Sequence, residues 1–262
     1  MFAGGHCCGR PEIRGDSSRF FEILNLCEFL SNLYRIPQTP VLRLRGKILQ
    51  NPMTSSSTPI IIGLTGNIGV GKSAALDVLR KLGAHVIDAD KVAHGVMLPG
   101  GRAYDAVVEA FGPGILLDDG RIDRRQLAAI VFSHPEQLAK LEAIVHPAVE
   151  QAVQAEIEAA NAPVVVIEAI KLLEGGLKSI CDEIWVVTAP EEVQIARLMD
   201  ARGMSETAAR RRMKAQTPQA WKAAQADVVI VNDSDLATLE RRVTEAWQEM
   251  LNRRKTDRSK PS

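Results

Sequence analysis

Residues Ile60 to Ala74 read IIIGLTGNIGVGKSA, and this stretch decides how the chain folds. The three isoleucines predict a buried strand, and the amphipathic residues after Ser73 predict a helix. Between them lies the pattern Gly66-x-x-x-x-Gly71-Lys72-Ser73, which is typical of a phosphate-binding loop when it joins a strand to a helix. We therefore predict that the chain binds a nucleoside triphosphate.

Each residue type in this loop suits an anion. Glycines allow backbone conformations in which successive N–H groups turn inward on phosphate oxygens, and the following helix adds its positive end. Lys72 supplies a cation for the outer phosphates, and Ser73 supplies a hydroxyl ligand for Mg²⁺. The residues of this stretch that we predict to contact the nucleotide are Gly66, Gly69, Val70, Gly71, Lys72, Ser73 and Ala74.

Composition and charge narrow the class of protein. With 262 residues, 46% of them hydrophobic and 24% charged, the chain has the composition of a globular protein. The formal net charge of zero does not indicate a nucleic-acid or membrane partner, and no apolar run approaches the roughly 18 residues of a spanning helix. Three of the four cysteines precede residue 30, so the remainder has no internal disulfide, which favours a cytoplasmic protein.

The chain divides into three regions. Residues 1–58 show no helical or strand period over a useful length, and we expect them to be disordered or an over-extended start, with Met53 as a candidate natural start. Residues 59–252 carry the patterns of one folded domain. The charged residues 253–262 are expected to form a disordered tail.

Buried-type strands alternate with helical patterns along the domain. After the first strand they are predicted at 84–90, 163–168, 182–188 and 227–232. This alternation predicts an α/β fold of three layers, with a parallel sheet between helices. Residues 98–160 form a predicted helical insert that is longer than the dozen or so residues of an ordinary crossover, so we expect it to hold a second substrate.

Carboxylates stand at the ends of two predicted strands. Asp88 and Asp90 are two residues apart, so on a strand both point to one face and can face the phosphate loop. The alternative is that one of them caps the following helix, as Asp often does. Glu168 ends the next strand, where a further carboxylate on the magnesium side of the site is expected.

Taken together, these motifs resemble the dephospho-CoA kinase family. The resemblance rests on the loop, on Val86-Ile-Asp-Ala-Asp90, Gly120-Arg-Ile-Asp-Arg124, His146-Pro147 and Ala226–Asn232, and it covers roughly residues 59–250. It implies a phosphate-loop fold of the nucleoside monophosphate kinase type, with five parallel strands, the helical substrate-binding insert and a lid at about 197–218. It also implies transfer of the ATP γ-phosphoryl group to the 3′-hydroxyl of the dephospho-CoA ribose.

The resemblance also implies roles for single residues. Asp90 matches the catalytic base, with Lys72 and Arg197 as further catalytic residues. Arg197 and Arg202 match lid-side arginines near ATP. The chain departs from the family pattern after Glu168, where Ile170 and Lys171 stand in place of the usual proline and leucine.

Other classes of nucleotide-binding protein fit the sequence less well. A regulatory GTPase needs Asn-Lys-x-Asp after a strand, and Asn232-Asp-Ser-Asp235 lacks the lysine. Two alternatives stay open: another small-metabolite or nucleoside kinase, and a non-catalytic, nucleotide-dependent module whose insert binds a protein. The sequence contains no signal for the oligomeric state or for the nucleoside of the donor.

Overall fold

The computed structural model describes residues 58–258, except for the side chains of residues 133, 257 and 258. The expectations for the segment before residue 58 and for the last four residues lie outside this range. Within it, a five-stranded, all-parallel sheet has the order β2-β3-β1-β4-β5, which confirms the predicted α/β class. The strands are β1 (Ile60–Thr65), β2 (His85–Asp88), β3 (Val164–Glu168), β4 (Glu183–Thr188) and β5 (Val228–Val231).

Helices connect the strands and cover both faces of the sheet. No helix among the described residues combines the length and apolar content needed to cross a bilayer. The helices are α1 (Lys72–Lys81), α2 (Ala89–Gly95), α3 (Tyr104–Phe111), α4 (Arg124–Ser133), α5 (Pro135–Ala159), α6 (Glu191–Arg202), α7 (Glu206–Lys214), α8 (Gln219–Ala223) and α9 (Leu236–Arg258), with 3₁₀ turns at Pro113–Ile115 and Gly176–Ile180.

Two hydrophobic clusters hold the layers together. On one face, the sheet residues Ile87 and Ile167 pack with Val107 and Leu141 of the insert helices α3 and α5. The insert therefore shares a core with the sheet. A second cluster joins alternate residues of the strands, such as Trp185, to α1 and α9. Because strands buried on both faces need apolar residues at every position, the sequences of β1, β3 and β4 show no polar alternation.

The register of the sheet brings three strand ends level with one another. Glu168 of β3 pairs with Leu64 of β1 on one side and with Asp88 of β2 on the other. The phosphate loop that leaves β1 therefore starts beside the carboxylates that end β2 and β3. Ligands of open parallel sheets bind at this edge.

The second strand is shorter than predicted, and the expectation that Asp88 and Asp90 share one face of a strand was wrong. β2 ends at Asp88, which takes an extended conformation and caps α2, because its carboxylate accepts a hydrogen bond from the Lys91 N–H at 3.0 Å. Asp90 consequently lies in the first turn of α2. The capping alternative describes Asp88 correctly.

The C-terminal region also differs from the expectation of disorder beyond residue 252, because α9 continues to Arg258. The helix extends this far because its charged residues form ion pairs with carboxylates at the start of β4. Arg253 Nη2 lies 2.9 Å from Glu183 Oε2, and Arg254 Nη2 lies 3.5 Å from Asp182 Oδ1. Trp185 Nε1 donates to the same Glu183 oxygen, and Glu183 is buried.

We predict that Arg253→Ala lowers the free energy of unfolding by about 1 kcal/mol, because a buried carboxylate loses its charged donor. Arg241→Ala is the matched control, since Arg241 pairs with Glu245 on the same helix while both side chains are exposed. Chemical denaturation of both variants measures the difference. Equal stability of the two variants would contradict an anchoring role for the last turns of α9.

Candidate active site

The loop between β1 and α1 depends on glycines for close packing as well as for its conformation. Gly71 precedes α1 with φ of 91°, in the left-handed region. A Cβ on Gly71 would lie 2.2 Å from Asn232 Nδ2, and a Cβ on Gly69 would lie 2.9 Å from the Gln194 carbonyl oxygen. Larger residues at either position would push the loop away from β5 and α6.

Side chains from α6 and from the end of β5 bind the carbonyl groups of the loop. Asn232 Nδ2 donates to the Val70 carbonyl at 2.8 Å, and Arg197 Nη1 donates to the same oxygen at 3.2 Å. Arg197 Nη2 also donates to Asn232 Oδ1 at 3.1 Å. With these carbonyls held, the first N–H groups of α1, which have no partner inside a helix, are left to bind an anion.

The segment that follows α7 contacts the loop from a different element. Gln216 Oε1 accepts a hydrogen bond from the Ile68 N–H at 2.8 Å, and Asn67 Nδ2 donates to the Thr217 carbonyl at 3.0 Å. These residues belong to the region expected to act as a lid. Its C-terminal end is therefore fastened to the phosphate loop.

Lys72 occupies a mostly buried position between the loop and the strand ends. Its Nζ donates to the Gly66 carbonyl at 2.9 Å and lies 3.7 Å from Glu168 Oε1. Burial lowers the pKa of Lys72, the charge of Glu168 opposes that shift, and the charge of Arg202 adds to it. The lysine is thus a cation held close to the place where phosphates are expected.

Three carboxylates gather beside Lys72. One oxygen each from Asp88, Asp90 and Glu168 lies within 4.8 Å of the others. Burial, together with the negative charges of Glu168 and Asp88, raises the pKa of Asp90 to about 7, although the charge of Lys72 opposes the shift. Asp90 therefore has the pKa of a group that can accept a proton near neutral pH.

The structure places the predicted residues in two groups. Asp90 and Lys72 lie together around Glu168, and the charge of Arg202 reaches Lys72. Ser73, in the first turn of α1, is exposed and offers an oxygen of the kind that Mg²⁺ binds. Arg197 instead bonds to the loop carbonyls and to Asn232, so direct contact with a transferred phosphoryl group would require it to leave those partners.

For two residues of this region, Asn232 and Lys222, no sequence motif predicts a role. Asn232 is a buried polar residue that directly follows β5, and a polar residue directly after an apolar strand was the available signal. Lys222 lies in α8 and is buried beneath the segment that follows β3. No pattern in the sequence distinguishes Lys222 from the exposed lysines, because its burial depends on the packing of α8.

Comparison with known proteins agrees with this geometry. Residues 60–238 match the family model described as dephospho-CoA kinase. The chain belongs to the dephospho-CoA kinase family. The dephospho-CoA kinase of Geobacter sulfurreducens is 44% identical over 190 residues, covering 71% of this chain and 96% of the relative. That of Geobacillus kaustophilus is 48% identical over 177 residues, covering 66% of this chain and 88% of the relative.

Solved structures show the same fold. The Thermus thermophilus protein TT1252 superposes with a TM-score of 0.64 at 37% identity, covering 74% of this chain and 98% of its own. The dephospho-CoA kinase of Campylobacter jejuni superposes with a TM-score of 0.53 at 26% identity, covering 72% of this chain and 96% of its own. The similarity therefore extends over nearly the whole length of both solved chains.

We predict that Asn232→Ala raises the KM for ATP roughly fivefold to tenfold, because the Val70 carbonyl and Arg197 both lose a buried partner and the loop loosens. Steady-state kinetics with varied ATP measures the effect. Asn252→Ala, an exposed position on α9, is the control and should leave KM unchanged. An Asn232→Ala variant with the KM of the unaltered protein would show that this side chain does not brace the loop.

Proposed function

We propose that this chain transfers the γ-phosphoryl group of ATP to the 3′-hydroxyl of the dephospho-CoA ribose and releases CoA and ADP. Membership of the dephospho-CoA kinase family supports the reaction. The observation on which the site assignment rests is the position of Asp90, whose carboxylate lies beside Glu168 and close to the charge of Lys72. This position at one edge of the sheet supports Asp90 as the base and Lys72 as the cation that binds phosphate.

Asp90 acts as the base in this proposal. Phosphoryl transfer through a loose transition state leaves the protein to align the two substrates and to stabilise charge. The Asp90 carboxylate accepts a hydrogen bond from the ribose hydroxyl, orients it toward the γ-phosphorus, and takes its proton late in the transfer. Its raised pKa makes it a stronger base than an exposed aspartate, and the proton remains on Asp90 until the product leaves.

Charge on the transferred group is stabilised from several directions. Lys72 moves from the Gly66 carbonyl and Glu168 onto the outer phosphates, while the N–H groups at the start of α1 bind the remaining oxygens. Arg202, whose charge already reaches Lys72, adds a second cation. Ser73 would hold Mg²⁺, which when bound neutralises phosphate charge and orients the γ-phosphoryl group.

The remaining parts of the domain have supporting roles. The insert at about 98–160 binds dephospho-CoA, because its helices α3, α4 and α5 stand on the sheet face next to β2 and Asp90. Residues at about 197–218 form the lid that excludes water from the reaction. Arg197 holds the loop carbonyls until ATP binds. We place the enzyme in the cytoplasm, where thiols stay reduced, and the free thiol of Cys181, the one cysteine within residues 58–258, is compatible with that location.

An ADP-release assay with the full chain tests the substrate. ATP and Mg²⁺ are supplied with dephospho-CoA, adenosine, AMP or pantetheine, one at a time. Turnover with dephospho-CoA alone supports the proposal. Turnover with another alcohol but not with dephospho-CoA indicates a different metabolite kinase, and turnover with none indicates a nucleotide-dependent binding module.

We predict that Asp90→Asn lowers kcat by at least about a hundredfold, because the amide cannot accept the ribose proton. Its affinity for ATP should change little, since the loop and Lys72 are untouched. Asp77→Asn is the control: Asp77 also lies in a helix, α1, but its side chain is 67% exposed. Pre-steady-state phosphoryl transfer separates chemistry from product release, and an ordinary rate in Asp90→Asn would remove Asp90 from the mechanism.

A further inference from the structure

A small hydrophobic cluster joins the phosphate loop to α6 and α7, the helices that carry the proposed lid. Its buried members are Ile195 and Leu198 of α6 and Ala209 of α7, and Ile68 of the loop packs against them. We call these four residues the lid cluster. The contact between the two lid helices is thus completed by a side chain that belongs to the phosphate loop.

Hydrogen bonds fasten the same part of the loop to the end of the lid. The Ile68 N–H donates to Gln216 Oε1 at 2.8 Å, and Asn67 Nδ2 donates to the Thr217 carbonyl at 3.0 Å. Asn67 is only 6% exposed, so water competes little for its donor. Two adjacent residues of the loop are therefore bound by the segment that directly follows α7.

The phosphate loop consequently has two parts with different contacts. Asn67 and Ile68 contact the lid, whereas the N–H groups from Gly71 onward begin α1 and are available for phosphate. Only two residues separate these parts. Because consecutive Cα atoms are held about 3.8 Å apart, a displacement of one part is carried to the other.

We infer that Asn67 and Ile68 are positioning residues, which couple the position of the lid to the position of the N–H groups that bind phosphate. This inference rests on the proposed function, because it concerns how ATP binding is coordinated with closure of the lid. A lid that closes over ATP also fixes the loop in the geometry for transfer. By linkage, bound nucleotide favours the closed lid to the same extent.

The consequence of weak coupling is loss of the phosphoryl group to water. In the transfer, the bond between the γ-phosphorus and the bridging oxygen of ADP breaks, and a bond forms to the ribose 3′-oxygen, whose proton passes to Asp90. When the lid does not follow the loop, water takes the place of the ribose hydroxyl. The same bond then breaks, and the products are ADP, inorganic phosphate and a proton released to solvent. Exclusion of water is what closure supplies.

An alternative role for these contacts is purely structural. The lid cluster buries apolar surface, so truncation of Ile68 lowers stability in either case. A purely structural loss reduces the amount of active enzyme, and it lowers CoA formation and ADP release by the same factor. The ratio of the two products distinguishes the roles, since it does not depend on how much of the enzyme is folded.

Product analysis of Ile68→Ala with saturating ATP, Mg²⁺ and dephospho-CoA tests the inference. We expect the CoA formed per ADP released to fall about twofold, and Ile68→Val to restore it because valine keeps most of the apolar contact. Leu82→Ala is the matched control, since Leu82 is also partly buried against a hydrophobic cluster but lies just beyond the far end of α1. It should melt at a lower temperature with an unchanged ratio. An unchanged ratio in Ile68→Ala, or an equal fall in Leu82→Ala, would overturn the coupling.

Gln216→Ala tests the hydrogen bond to the Ile68 N–H separately. It leaves the lid cluster intact, so it also serves if Ile68→Ala does not fold, as judged by thermal melting. We expect the ratio to fall here as well, and the two changes together to lower it by less than the product of their single effects, because both act on one residue. Effects that multiply, or an unchanged ratio in Gln216→Ala, would contradict a shared point of contact at Ile68.

Hydrogen exchange tests the coupling without the acceptor. A non-hydrolysable ATP analogue with Mg²⁺ should slow exchange of the α7 backbone amides about fivefold or more in the unaltered chain, and clearly less in Ile68→Ala when the analogue saturates both. Equal protection in the two proteins, or none in either, would overturn the inference. Failure of the proposed function appears differently, because the unaltered protein would then form no CoA while the exchange experiment still decides the coupling.

Discussion

The parallel register of β2, β3 and β1 is the constraint on which the site depends. Glu168 pairs with both Leu64 and Asp88, so the start of the phosphate loop and two carboxylates come to one level of the sheet. A shift of β3 by one residue would turn Glu168 to the opposite face and break its pair with Lys72. Sheet pairing, rather than the loop alone, therefore sets the geometry of the reaction.

Burial and the balance of charge at this edge of the sheet together explain the direction of the pKa shifts of Asp90 and Lys72. Asp88, Asp90 and Glu168 repel one another; Lys72 stabilises Asp90 and Glu168 before nucleotide binds, and Lys91 pairs with Asp88 at 2.9 Å. In the proposed mechanism Lys72 turns toward phosphate, so the carboxylates would lose part of that stabilisation and Asp90 would become a better proton acceptor. The proposal thus links the binding of ATP to the activation of the acceptor hydroxyl through one side chain.

Local patterns predicted the elements well, because β1, β3 and β4 are apolar on both faces and helices such as α4 and α7 begin at a capping residue, Asp123 and Ser205. The loop, the five strands and the closeness of Asp90 to Lys72 followed from those patterns and from the family resemblance.

Asp88 and Asp90 were placed on one strand because sequence spacing cannot reveal that a carboxylate has already turned to cap a helix. The last turns of α9 were missed because Arg253 and Arg254 are stabilised by Glu183 and Asp182, which are remote in sequence. Lys222 was missed for the same reason, since only tertiary packing buries it.

The central claim is that Asp90 contacts the hydroxyl that receives the phosphoryl group. A crystal structure of the full chain with a non-hydrolysable ATP analogue, Mg²⁺ and dephospho-CoA measures this contact directly. The account predicts an Asp90 carboxylate oxygen within hydrogen-bond distance of the ribose 3′-oxygen, at roughly 2.6–3.2 Å, with that oxygen facing the γ-phosphorus. A 3′-hydroxyl bound by another group, with Asp90 turned away from it, would contradict the account.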